Sequence, residues 1–287
     1  MSKIITQNEQ LKQRLIDDLL VRVPGIEKTV LDNLFRELEK QDTSGGVFTS
    51  VLTADDILKF EDIINTSLTK SGYVKAADIF IQDLAKLSAN TLLLLESGGF
   101  TAQKLPLSKI EKKWRNQTKT TLIDSGIRED FKRPILKILD DAISYGDSID
   151  AAKRKLTDFV LSGQDKSGRL KSYLTQTARD SISQLQGQQM ASVAKEVGFI
   201  GIRYVGGLLK DSRGQCYRWV HDLNGFIPID KLKSEIELAY KNQAAKREMP
   251  QGHRWGGMMD NTTPENFIIK RGGYNCTHTA IPVRKKP

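Results

Sequence analysis

The sequence predicts an α+β protein: a mainly helical N-terminal region over residues 1–165, followed by a small mixed α/β C-terminal domain over residues 166–287. Three observations predict it. Apolar residues recur at helical spacing through the first 165 positions. The stretch Ser162 to Gly168, "SGQDKSG", reads as a linker. After it the period changes, and "GFIGIRYVGG" alternates Ile200, Ile202 and Tyr204 between flanking glycines, as a strand does.

The elements follow in order. Ile26, Val30, Leu34 and Leu38 draw one stripe on a helix that starts near Pro24-Gly25 and ends before Ser44-Gly45-Gly46. Thr53 is placed to cap a second helix, with Asp55 and Asp56 in its electropositive first turn. Ile57, Phe60, Ile64 and Leu68 form its buried face, and Ser71-Gly72 closes it. A third helix is expected over Lys75 to Ser97, stopped by Gly98-Gly99, with a hinge over Phe100 to Pro106. Helices resume near Ser108, where Trp114 reads as a core anchor, and continue over Asp130 to Tyr145 and Ser148 to Leu161. A long polar helix follows from Leu170 to Val197. Its stripe of Leu174, Ala178, Ile182 and Leu185 is interrupted at "QLQGQQ", which points to a bend or a packed neighbour. Beyond the strand come an Asn224-Gly225 turn, a helix capped by Asp230 and running to about Lys246, a "RWGGMM" loop and a short strand in "ENFIIK".

Composition narrows the function. No apolar run approaches the roughly 20 residues that cross a bilayer, and the N-terminus lacks a hydrophobic signal core, so no membrane partner is expected. The net charge of +9 is uneven: residues 1–100 carry 11 basic and 15 acidic side chains, residues 199–287 carry 15 and 8. A basic C-terminal half suits nucleic acid or an acidic protein surface. The candidate phosphate contacts are Lys153, Arg154, Lys155, Arg284, Lys285 and Lys286. The first three are consecutive on a helix and fan out around it, so they do not make one face.

Two cysteines make no disulfide framework. They and all three histidines fall in the last quarter of the chain, as Cys216, His221, His253, Cys276 and His278. In extended backbone Cys276 and His278 point to the same face, which is half of a tetrahedral zinc site. Cys216 and His253 are the candidates for the other half, with His221 as a substitute. A Cys216–Cys276 disulfide and two plain buried thiols are the competing readings. Catalysis finds little support. The chain has no Gly-x-x-x-x-Gly-Lys-Ser/Thr loop, no Gly-x-Ser-x-Gly and no His-Glu-x-x-His. A Cys276–His278 nucleophile and base lacks a third group, and a nuclease centred on His221-Asp222 is similarly thin. No enzymatic activity is expected.

From about Leu170 the order of short motifs carries a resemblance. "ARDSISQLQGQQMASVAKEVGF" leads to "IRYVGGLLKDSRGQCYRW", and "HRWGGMMDNTTPENFIIKRGGYNCTHTAIPV" closes the chain. This resembles the C-terminal domain of tailed-phage minor head proteins, the head morphogenesis family related to phage Mu protein F. Arg213 and Cys216 match that family's Arg-x-x-Cys. Gly273, Cys276 and His278 match its Gly-x-x-Cys-x-His/Arg element. Thr277 departs from the family, standing where a basic residue is common, and no second cysteine follows Cys216. The resemblance spans roughly 115 residues. It implies a virion structural protein in the capsid interior or at the portal vertex, present in the host cytoplasm during assembly. It also implies portal protein or major capsid protein as partners, and contact with packaged double-stranded DNA. The alternative is a zinc-dependent enzyme, a nuclease, hydrolase or transferase, in the C-terminal domain.

Overall fold

The computed structural model describes residues 2–41, 43–49, 51–101, 107–161 and 168–284. Most of the linker at 162–168 and of the hinge at 100–106 therefore lies outside the described residues, as do Lys285 and Lys286. The architecture is α+β, with a mainly helical N-terminal region and a small mixed C-terminal part.

The chain begins with α1 (Ser2–Leu20) and α2 (Val23–Leu38), which buries the expected stripe of Ile26, Val30, Leu34 and Leu38. A two-residue hairpin joins β1 (Thr43–Ser44) to β2 (Val47–Phe48). Gly45 and Gly46 at the turn both have positive φ, +62° and +80°, which suits the twist of adjoining strands. Helix α3 (Ala54–Lys70) opens with a reciprocal cap: Thr53 Oγ1 accepts from the Asp56 amide at 3.2 Å, and Asp56 accepts from the Thr53 amide at 3.0 Å. The single helix expected over 75–97 is two, α4 (Tyr73–Asp83) and α5 (Ala85–Ser97), broken at fully buried Leu84. Next come α6 (Leu107–Leu122), on which Trp114 is half-buried, and the short α7 (Ser125–Ile127) with a wide π turn at Arg128–Lys132. Then come α8 (Arg133–Ser144), α9 (Ile149–Val160) and the long α10 (Arg169–Val197).

After α10 the chain forms β3 (Gly201–Val205), α11 (Gly214–Tyr217), a second π turn at Arg218–Asp222, β4 (Phe226–Pro228) and α12 (Ile229–Ala244). It ends with α13 (Phe267–Lys270) and β5 (Thr279–Val283). Two expectations are corrected here. Pro228, not Asp230, stands at the start of α12, and Asp230 lies in its first turn. The "ENFIIK" segment is helical: the Asn266 carbonyl accepts from the Ile269 and Lys270 amides, both at 3.0 Å. A three-residue apolar run has no period that separates strand from helical turn.

By their contacts the residues fall into two compact units that cut the chain elsewhere than at residue 165. One gathers Met1–Arg14, Asp83–Arg115 and Ala178–Pro287; the other gathers Leu15–Gln82 and Asn116–Thr177. The cuts fall inside α1, α6 and α10 and at the last residue of α4.

The second unit is all helix apart from the hairpin, and α2, α3, α8 and α9 close around Phe60, Phe131, Leu139 and Leu156. Its outlier is Glu27, nearly fully buried on the stripe face of α2. Burial pushes its carboxyl up to about 7, opposed by the Lys171 amide at 3.4 Å and by the Lys171 charge. A raised carboxyl binds its proton more tightly folded than unfolded. Its contribution to stability is therefore greatest at low pH and falls as pH rises from about 4.5 to about 7. Glu27→Gln keeps the acceptor oxygen and removes the charge. It is expected to add about 1–2 kcal/mol to unfolding free energy at pH 8 and nothing measurable at pH 4, as read by urea titration. An equal gain at both pH values would contradict this account.

The first unit is built on the antiparallel sheet β4-β3-β5, with Ile202 opposite Ile227 and Pro282. Leu94 and Leu95 of α5, Met190, Val193 and Ala194 of α10, and Leu232, Ile236 and Ala239 of α12 share one core with the sheet. The polar middle of α10 is also buried. Gln186 Nε2 donates to Asn8 Oδ1 at 2.7 Å, and Gln189 Nε2 donates to Ser88 Oγ at 2.7 Å. At Gly187 the helix passes so close to α13 that a Cβ would meet the Ile268 carbonyl at 2.6 Å. The interruption in the stripe is thus a packed neighbour.

Candidate metal centre

Cys216, Cys276 and His278 come together in the first unit, with one ligand atom from each within 4.8 Å of the others, all buried. Cys216 sits on α11, the single turn that follows extended Arg213 (φ −69°, ψ 152°). Cys276 and His278 lie on the loop between α13 and β5. That loop is coiled by positive φ at Arg271 (+50°), Gly273 (+109°) and Asn275 (+55°). Such conformations cost a side-chain-bearing residue free energy, so contacts must hold them. They do. Arg213 donates to the Gly272 carbonyl at 3.0 Å and to the Tyr274 carbonyl, and Gln215 Nε2 donates to the Gly272 carbonyl at 3.1 Å. The Asn275 amide donates to Asp180 at 2.8 Å. Arg271, 2% exposed, donates through one nitrogen to the Cys276 carbonyl at 2.8 Å and the His278 carbonyl at 3.2 Å.

The sulfurs are 4.0 Å apart, and Cys276 Sγ lies 3.6 Å from His278 Nδ1. A tetrahedral zinc with bonds of about 2.3 Å to sulfur and about 2.0 Å to nitrogen sets S···S edges of about 3.8 Å and S···N edges of about 3.6 Å. The donor set fits a soft divalent ion in kind and spacing. Tyr204, fully buried on β3, places its hydroxyl 3.4 Å from Cys216 Sγ and 3.2 Å from Cys276 Sγ, and its ring stacks on His278 at 5.1 Å. Burial beside two sulfurs pushes the phenol far up, so it stays protonated, and its single hydrogen serves one sulfur at a time. Gly272 lets the sulfurs face one another: a Cβ there would meet Cys216 Sγ at 2.6 Å and Cys276 Sγ at 3.0 Å.

The charge of the pair settles on Cys276. The Cys216 thiol beside it, then His278 and Arg271, hold the Cys276 thiol well below its ordinary value, while burial works against them. Cys216 moves up, because its neighbour takes the charge and because it is buried. Lys12 also belongs to this surrounding. It donates to the Thr277 carbonyl at 3.2 Å and Thr279 Oγ1 at 3.0 Å and pairs with Glu9 at 2.6 Å. Arg271 thus flanks the thiolate, and Lys12 lies beside the same loop with its ammonium pulled down by burial and propped up by Glu9. One Arg271 terminal nitrogen and His278 Nε2 have no hydrogen-bond partner among the described residues.

The remaining sequence candidates lie elsewhere. His253 is not part of the group: its Nδ1 faces the Ser212 carbonyl at 2.8 Å and its ring stacks on Tyr217 at 4.5 Å, so the segment around α11 engages it. His221 is exposed beside Asp222 at 3.0 Å, across the same tyrosine. Half-buried Lys153 pairs with Glu39 at 2.6 Å, and of the two exposed members of that trio, Arg154 and Lys155, the latter pairs with Asp147. Arg284 is exposed, with its amide donating to the Gly98 carbonyl at 2.9 Å. Sequence reasoning missed Tyr204, Arg271, Gly272, Lys12 and Asp180. The Gly272-Gly273 pair was the available signal, since two adjacent glycines before a cysteine imply close backbone approach.

A cavity of about 140 Å³ opens on the group, lined by Arg179, Asp211, Arg213, Cys216, Cys276 and His278 among others. No helix among the described residues is long and apolar enough to cross a membrane. No family model, no curated protein and no solved structure matches the chain.

Proposed function

We propose that this chain is a structural protein of a tailed-phage head, acting at the portal or capsid interior during head assembly and DNA packaging or ejection. One observation carries the reading. The two motifs that resemble the minor head family, Arg213-x-x-Cys216 and Gly273-x-x-Cys276-x-His278, are 57 residues apart at their nearest ends yet meet directly, with Arg213 holding the Gly272 and Tyr274 carbonyls. Such a contact makes a closed structural unit, and a cavity of about 140 Å³ admits an ion or waters, not a nucleotide. The basic balance of residues 199–287 adds sequence-independent attraction to packaged duplex DNA.

Zinc is the ion we assign to the group. Cys216, Cys276 and His278 hold it, and its role is to fasten the loop before β5 to α11. A second reading is favoured by the number of protein donors: three ligands beside a small cavity is the pattern of a catalytic zinc. Turnover of a substrate separates the two.

The test is co-expression of the full chain with tailed-phage portal and major capsid proteins, followed by purification and duplex-DNA filter binding. We expect co-purification with portal or capsid protein, and DNA retention at 50 mM salt that falls steeply by 200 mM, about 10³-fold if six phosphates are contacted. Association with neither head protein would end the head-assembly reading. No retention at low salt would end the DNA contact alone.

A further inference from the structure

The same group has the geometry of a thiol pair that an oxidant can join. The sulfurs face each other at 4.0 Å with no side chain between them, because position 272 is glycine. Both line the 140 Å³ cavity, which is large enough for hydrogen peroxide. Closing to a disulfide of about 2.05 Å asks each sulfur to move by about 1 Å. Cys276 sits on a loop whose backbone is held by side-chain hydrogen bonds, not by a helix or sheet ladder, so the motion is local.

We propose that Cys216 and Cys276 are an oxidation-sensitive pair, which a hydroperoxide converts to an intramolecular disulfide with release of the bound ion. The release half rests on the zinc reading above. The step balances. The Cys276 sulfur attacks one peroxide oxygen, the O–O bond breaks, and the leaving hydroxide takes a proton as water. The resulting sulfenic acid is attacked by Cys216; the S–S bond forms and its hydroxyl leaves as a second water. Two electrons pass from the sulfurs to the peroxide, and the ion, left with His278 alone, departs. Cys216 is the resolving thiol, and its presence at 4.0 Å stops oxidation at the reversible stage.

The experiment uses the full chain as purified. Graded hydrogen peroxide is followed by alkylation, intact mass, peptide mapping and a chromophoric zinc reporter. The expected result is a loss of two hydrogens, joint loss of both alkylation sites, a linked peptide pair spanning Cys216 and Cys276, and reversal by a dithiol reductant. Zinc release should track the crosslink one for one. Oxygen addition to Cys276 without a crosslink, or two thiols still alkylatable after peroxide, overturns the proposal while leaving bound zinc intact as a reading. A crosslink in protein that held no metal beforehand supports the thiol pair and ends the zinc reading.

Discussion

Gly273→Ala is expected to lower the unfolding free energy by about 3–5 kcal/mol, among the largest effects of any single substitution in this chain. Two penalties combine. Gly273 has φ +109°, where a residue with a Cβ is strained. The added Cβ would also collide with the Gly257 carbonyl and approach Met258 Cα at 2.9 Å. The carbonyl cannot withdraw freely, because it accepts from the Tyr274 amide at 3.0 Å. Relief therefore requires the loop that carries Cys276 and His278 to move, which dismantles the group as well. Gly207→Ala is the matched control: a Cβ there meets nothing within 4 Å, and the expected change is within about 0.5 kcal/mol. Urea titration of both variants by circular dichroism reads the difference. Similar losses at 207 and 273 would show that steric approach at Gly273 is not the cause.

Stripping zinc from the full chain with a chelator is expected to lower Tm by about 10 °C. An ion bound only by the folded state, present at about 1,000 times its Kd, adds about 4 kcal/mol. A protein of this size gains about 2–4 °C per kcal/mol. The physical reason lies in the contacts. Cys216 and Cys276 belong to segments 60 residues apart in sequence, and an ion shared by them ties those segments together. Without the ion, the bonds that join the two segments are lost, and the loss falls on one small loop. Calorimetry with and without chelator, after elemental analysis has counted about one zinc per chain, provides the measurement. Identical melting curves for zinc-loaded and stripped protein would remove the structural role. A chain that never binds zinc, with both thiols titrating under native conditions, would remove the site itself.

The stripe from Ile26 to Leu38, the Thr53 cap with Asp56 and the alternating strand near Tyr204 were legible because each is local: period, cap chemistry and alternation are properties of a few neighbouring residues. The pairing of Cys216 with Cys276 and His278 was half legible, since same-face spacing joined the last two and nothing local excluded His253. Less visible were residues that act at long range. Gln186 and Gln189 lie in the stretch that reads as a bend or a packed neighbour, and the structure makes them buried donors to Asn8 and Ser88. Arg271, which no local pattern singles out, is buried, and it holds two carbonyls of its own loop.

By itself, then, the sequence determined the α+β class, most helix positions and the concentration of thiols and imidazoles in the last quarter. Only the tertiary structure decided which segments share a core, that Phe267–Lys270 is a helical turn, and that Lys12 from the first helix lies beside the loop of the thiolate 264 residues away. The reason is physical. Periodicity records how a segment meets water, whereas the partner of a buried charge or sulfur is set by packing between segments that the local pattern does not name.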